Sequence, residues 1–330
     1  MNILVIKLGA AGDIIRTTAI LPGLKQKYPG SSIDWVTQSS YHEIIQGNPF
    51  IRKVFFIDKD KEKLASSFYN LIISCDDDLG ACNLASQVPH DYLIGAYAHG
   101  KKPVYTPNAA AWFDNGLISR HGLRKANVLK RKNEKTYQEL WYNIIGIPYA
   151  KQEPQLILAK KDTLYAQGFA RKNNFNGKSY IVGFNPGSST RWWDKRMSVG
   201  DTVKLGWEIR DRYPDSKVIL LGGPEEIERN KIIKKRLPFL IDSGVNNSLG
   251  QFASIINLCQ TVITSDSLAM HMAIALKKKV VVFFAPTSHK EIEIYDRGYK
   301  VLPVRGCVGC YRKECRIKPI YDIDAMAKLI

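Results

Sequence analysis

An alternation that runs through the chain twice limits its fold most: short apolar runs separated by segments with helical spacing. In the first half, Ile3 to Ile6, Ser32 to Thr37, Lys53 to Ile57, Leu71 to Ser74 and Tyr92 to Ile94 read as strands. Asp13 to Tyr28, Glu43 to Gly47, Lys59 to Ser67 and Ala81 to Gln87 read as the helices between them. Strand–helix–strand order calls for a parallel sheet, because a parallel neighbour is reached only through a long crossover. Gly95 to Leu129 is polar, contains glycine and carries Trp112 and Phe113, so it is expected to form long loops with a short helix lining a cleft. Helical spacing returns at Thr136 to Ile145, and Pro148 to Gln155 reads as a linker.

The alternation then restarts. Tyr180 to Phe184, Lys217 to Leu221, Thr261 to Thr264 and Lys279 to Phe284 read as strands, and Val199 to Tyr213, Glu225 to Leu237, Ser248 to Leu258 and Ser267 to Leu276 as helices. A chain of 330 residues is too large for one ordinary core. The expectation is an α/β protein with two facing doubly wound, Rossmann-like domains, 1–150 and 151–330.

In such sheets ligands meet the carboxyl ends of the strands. Here those ends are Lys7 to Asp13, Asn185 to Lys195, Gly222 to Glu226, Ser265 to His271 and Ala285 to His289. The first loop, Lys7-Leu8-Gly9-Ala10-Ala11-Gly12-Asp13, fits neither the dinucleotide fingerprint nor the P-loop. It supplies only Gly9 and Gly12, and Asp13 and Ile14 stand where a P-loop needs Lys and Ser or Thr. A carboxylate at this junction suits a reacting group, and its plain alternative is a helix N-cap.

A formal net charge of +17 calls for anionic partners. The cations are spread out, denser at Lys101-Lys102, Arg124 to Lys135 and Lys277 to Lys279, and lack the aromatic interleaving of a base-stacking platform, so nucleic acid is not the expected partner. No stretch approaches the roughly 20 apolar residues of a membrane span, no signal-peptide pattern opens the chain, and six cysteines make no secreted disulfide framework. A cytoplasmic protein is expected. The competing reading rests on Cys307, Cys310 and Cys315, whose C-x2-C-x4-C spacing begins like a zinc knuckle and would make a basic zinc-containing nucleic-acid binder. A knuckle needs His at 315 and Cys at 320, where this chain has Cys315 and Ile320, and only a distant fourth ligand such as Cys75, Cys82, Cys259 or His289 remains. No metal site is assigned.

Four motifs, in order, carry a resemblance. They are Ile3 to Gly9 with Gly12-Asp13-Ile14 and Thr17 to Pro22; Phe184 to Ser188 with Lys195-Arg196; Leu220 to Glu226; and Thr264 to His271. Together the chain resembles the ADP-heptose:lipopolysaccharide heptosyltransferases, glycosyltransferase family 9. The resemblance implies a GT-B architecture and an inverting transfer from a nucleotide sugar, with no cofactor and no required metal. Asp13 would be the base that deprotonates the acceptor hydroxyl, with Gly9 and Gly12 in the acceptor loop. Lys195 would meet the donor phosphate, Asp266, Ser267 and His271 would hold the diphosphate and nucleoside, and Glu225 or Glu226 would lie near the ribose. Residues 1–150 would bind the acceptor and 151–330 the donor. The implied partners are ADP-heptose and an anionic, lipid-linked lipopolysaccharide-core acceptor at the inner face of the cytoplasmic membrane.

Overall fold

A computed structural model gives the fold and describes residues 1–188, 190–312 and 317–330. The chain divides into two compact units, Met1–Ile157 and Leu158–Ile330. The division falls later than residue 150 because the presumed linker is tied into the first unit, where the Gln155 amide donates to Thr18 Oγ1 at 2.7 Å.

The first unit holds β1 (Asn2–Ile6), β2 (Ser32–Thr37), β3 (Lys53–Phe56), β4 (Tyr69–Ser74), β5 (His90–His99) and β6 (Lys102–Tyr105) in the order β3-β2-β1-β4-β5-β6. All pairs are parallel except β5 with β6. The second unit holds β7 (Ile181–Asn185), β8 (Lys217–Leu220), β9 (Ile241–Asp242), β10 (Thr261–Ser265), β11 (Lys279–Phe283) and β12 (Gly298–Val301), ordered β12-β11-β10-β7-β8-β9 and parallel throughout. Counted from its own first strand, each sheet reads 3-2-1-4-5-6, the doubly wound order whose switch point lies between strands 1 and 4. Those strands are β1 and β4 in one unit and β7 and β10 in the other.

The central strands are near-continuous apolar runs because helices cover both faces of a parallel sheet. Ile3 to Ile6 and Val280 to Phe283 are buried along their whole length. Ile6, Val36, Phe55, Leu64 and Ile72 share one core in the first unit, and Phe184, Leu205, Ile209, Phe283 and Met326 share one in the second.

Several expectations are corrected. Asp13 to Tyr28 is two helices, Ala11–Thr17 and Ile20–Lys27, because Pro22 has no N–H to give the Thr18 carbonyl, which takes the Leu21 amide at 3.1 Å instead. Gly95 to Leu129 is not mainly loop. Gly95 to His99 extends β5, Gly100 turns the chain with φ of 61°, and Lys102–Tyr105 returns as an antiparallel edge strand where Pro103 is tolerated. Gly122–Lys132 then forms a helix. The helix Lys160–Lys172 escaped the sequence reading because Asp162 and Ala166, not large apolar residues, form its buried side. Strands β9 and β12 and the helix Ile323–Ala327 were also not anticipated, being short. Among the described residues no helix is long and apolar enough to cross a membrane.

Candidate functional site

At the first switch point, the β1 loop carries Gly9, while Gly12 and Asp13 lie inside the first turn of Ala11–Thr17. Ala10, not Asp13, occupies the N-cap, so the plain capping explanation for Asp13 fails. Asp13 Oδ1 accepts from Arg16 Nη2 at 2.8 Å and its side chain stays 35% exposed. The Arg16 guanidinium lies 3.9 Å from the Tyr137 ring centroid and 5.5 Å from that of Trp112. The buried Tyr137 hydroxyl bonds Thr17 Oγ1 at 2.6 Å, and Thr17 Oγ1 donates to the Asp13 carbonyl at 2.6 Å. The helix that carries Asp13 is thereby pinned to an aromatic cluster. Behind it, Lys7 Nζ and the Leu8 amide both donate to the buried Asp76 carboxylate. Burial opposes the charge on Lys7, but Asp76 and then Asp13 hold its pKa above the ordinary value. A partly exposed carboxylate on so constrained a helix can accept a proton from a hydroxyl.

At the second switch point, Lys195 Nζ donates to Asp266 Oδ2 at 2.7 Å and to the Asp266 carbonyl at 3.2 Å. Lys195 ends the 3-10 segment Thr190–Lys195 beyond β7, and Asp266 directly follows β10. Burial alone would raise the Asp266 pKa, but Lys195 and His271 pull it well below the usual carboxylate range. Ser267 is the N-cap of Leu268–Ala275, yet its side chain caps nothing. Its Oγ instead meets Asn185 Nδ2 at 3.0 Å and Thr264 Oγ1 at 2.9 Å. That helix start thus has no side-chain cap on its first amides, the arrangement that accepts an anion. His271 sits one turn in and is half-buried.

The two adjacent glutamates, equivalent by spacing, differ in the structure. Glu226 is buried, and its Oε2 accepts from the Gly223 amide at 2.8 Å. Burial raises its pKa. It packs against Gly187, where a Cβ would come within 2.6 Å of the Glu226 side chain. Glu225 is 47% exposed, with its Oε2 3.8 Å from Arg196 Nη2. Glu226 therefore shapes the loop, and Glu225 presents a carboxylate at its surface. Arg196 is half-buried, with its side chain only 7% exposed. Its Nε donates to the Ser188 carbonyl at 2.7 Å and its guanidinium lies 4.2 Å from the Trp193 ring centroid. Sequence reasoning also passed over Arg16, although it stands three residues after Asp13 on the same helix, the spacing at which side chains meet, and over the pairing of Lys7 with Asp76, which lie 69 positions apart and carry no such signal.

Cys307 and Cys310 are half-buried, and Cys315 lies outside the described residues. Among the described residues no group of three His, Cys, Asp or Glu could hold a metal ion.

Comparison with known proteins gives this geometry a family. Residues 59–321 match the family model for glycosyltransferase family 9 (heptosyltransferase). The chain is 23% identical over 319 residues to lipooligosaccharide heptosyltransferase 2 of Haemophilus influenzae, covering 87% of this chain and 84% of the relative. Among solved structures, a family 9 glycosyl transferase from Veillonella parvula has a TM-score of 0.73 at 18% identity, covering 91% of this chain and 85% of that one. The Escherichia coli heptosyltransferase WaaC with ADP-2-deoxy-2-fluoro heptose has a TM-score of 0.61 at 16% identity, covering 94% of each chain. With two sheets of doubly wound order, parallel but for the β5–β6 pair, the family match and these folds define a GT-B glycosyltransferase. The chain belongs to glycosyltransferase family 9 (heptosyltransferase). The matched span contains Lys195, Glu225, Asp266 and His271 but not Asp13, which rests on its own geometry.

Proposed function

We propose that the protein moves a heptose from ADP-heptose to an anionic, lipid-linked acceptor of lipopolysaccharide-core type, inverting the anomeric carbon and needing no metal. The observation that carries this reading is the Lys195–Asp266 pair at the second switch point, beside a helix start whose first amides have no side-chain cap. Relatives named as heptosyltransferases, and a solved neighbour holding an ADP-heptose analogue, support the choice of donor.

In this reading the second unit binds the donor and the first the acceptor. Asp13 takes the proton of the acceptor hydroxyl as its oxygen bonds to the anomeric carbon. The bond from that carbon to the diphosphate oxygen breaks, and ADP departs. Lys195 and the amides beyond Ser267 stabilise the charge that grows on the diphosphate. Asp266 holds Lys195, His271 lies against the same segment, and Glu225 reaches the ribose. A lipid-linked acceptor puts the work at the inner face of the cytoplasmic membrane.

Thermal shift with ADP-heptose, ADP, a UDP-sugar and a GDP-sugar at equal concentration tests the donor. ADP-heptose should raise Tm most, since a ligand at 100 times its Kd adds about 2.7 kcal/mol. A larger shift from the uridine or guanosine sugar would overturn the assignment.

A further inference from the structure

Between Asn115 and Asn133 the sequence has six Lys or Arg residues and no Asp or Glu. The structure gathers most of them on one helix, Gly122–Lys132, which buries only Ala126 fully. Arg124, Lys125, Arg131 and Lys132 are exposed on it. Three aliphatic side chains stand out among these cations: Leu117 is 69% exposed, Leu123 57% and Val128 38%. The segment has a firm base, because the Arg120 amide donates to Tyr105 Oη at 2.9 Å and the Tyr105 ring stacks on Phe113 at 5.4 Å. Next to Phe113, Trp112 lies against Arg16, the ion-pair partner of Asp13.

We infer that Gly122–Lys132, with the Leu117 loop, docks on an anionic phospholipid bilayer. The cations complement the surface charge, and the aliphatic side chains enter the headgroup boundary. Nucleic acid fits less well, because the helix offers no aromatic ring for a base to stack on. Another basic helix, Ile227–Arg236, is not equivalent: Lys231 pairs with Glu228 at 2.7 Å and Lys234 donates to the Pro238 carbonyl at 2.8 Å. The inference deepens the proposed function, resting on a lipid-linked acceptor, and gives the base-bearing unit its membrane contact.

Flotation of the full chain with phosphatidylcholine vesicles, with or without about 30% phosphatidylglycerol, tests it at about 0.15 M salt. The protein should float only with the anionic vesicles. Arg124→Glu with Arg131→Glu should cut partitioning at least about tenfold, and the matched reversal Lys235→Glu with Arg236→Glu less than about threefold. Leu123→Ser should also weaken it, about threefold. Equal losses for both double variants would reduce the effect to overall charge and overturn the inference, as would a wild type that binds single-stranded RNA but no vesicle. Transfer to an acceptor stripped of its lipid should be unchanged in Arg124→Glu with Arg131→Glu. A donor other than ADP-heptose would unseat the proposed function and leave the flotation result standing.

Discussion

The two halves of the chain share a strand order, and each brings a lysine from beyond its first strand against an aspartate from beyond its fourth. In the first half the pair is sealed: Asp76 takes both Lys7 and the Leu8 amide, so it braces the loop that leads to Asp13. In the second half the pair stands at a helix start with no side-chain cap, next to His271 and to the Asn185, Thr264 and Ser267 network. The same topology therefore supports two uses of one ion pair. Sealed, it holds a backbone beside the carboxylate proposed as base; at the helix start, under the proposed function, it offers a cation to the donor diphosphate.

The comparison breaks first at Lys7. Lys7→Met strands the buried Asp76 charge and should cost about 3–5 kcal/mol of stability, measured by chemical denaturation. A loss under about 1 kcal/mol would mean that the sealed pair braces nothing. Asp13→Asn should keep the fold and the ADP-sugar affinity while transfer falls about 10²-fold or more, near 2.7 kcal/mol of barrier. Retained turnover in a folded variant would remove Asp13 from the role of base.

Lys195→Ala should weaken ADP-sugar by about 1.5–3 kcal/mol, roughly ten- to a hundredfold in Kd by calorimetry, and leave adenosine nearly unchanged. Equal losses for both ligands would make this pair structural, like the first. The pair also has a pH signature. Asp266 titrates below its ordinary range, so its contribution to stability is present above about pH 4 and is lost as the pH falls further. The stability gap between wild type and Lys195→Ala should therefore narrow on acidification below about pH 4, and a gap constant with pH would contradict the pairing.

Much of this arrangement was legible in the letters. The runs Ile3 to Ile6 and Lys279 to Phe283 are strands because a sheet covered on both faces demands continuous apolar chain, a local property of composition. That Asp13, Lys195 and Asp266 lie beyond the carboxyl ends of strands followed from the same periodicity. The hairpin of β5 and β6 was not legible, since Lys102 and Pro103 carry no strand preference and pair only because an edge was open. Glu225 and Glu226 could not be told apart, because adjacency along the chain says nothing about which side chain turns back to the Gly223 amide.

Two α/β units of mainly parallel sheet, and the strand-end loops that hold the proposed site residues, could be read from the letters because strand and helix periods are short-range and repeat. Which charges meet was settled by packing. Lys7 with Asp76, Arg16 with Tyr137, and Lys195 with Asp266 join residues that spacing does not relate. Packing also leaves the Arg196 side chain 7% exposed while Arg124, Lys125, Arg131 and Lys132 stand exposed. The physical reason is that the energy of a charge depends on its neighbours and on its distance from water, and packing sets both.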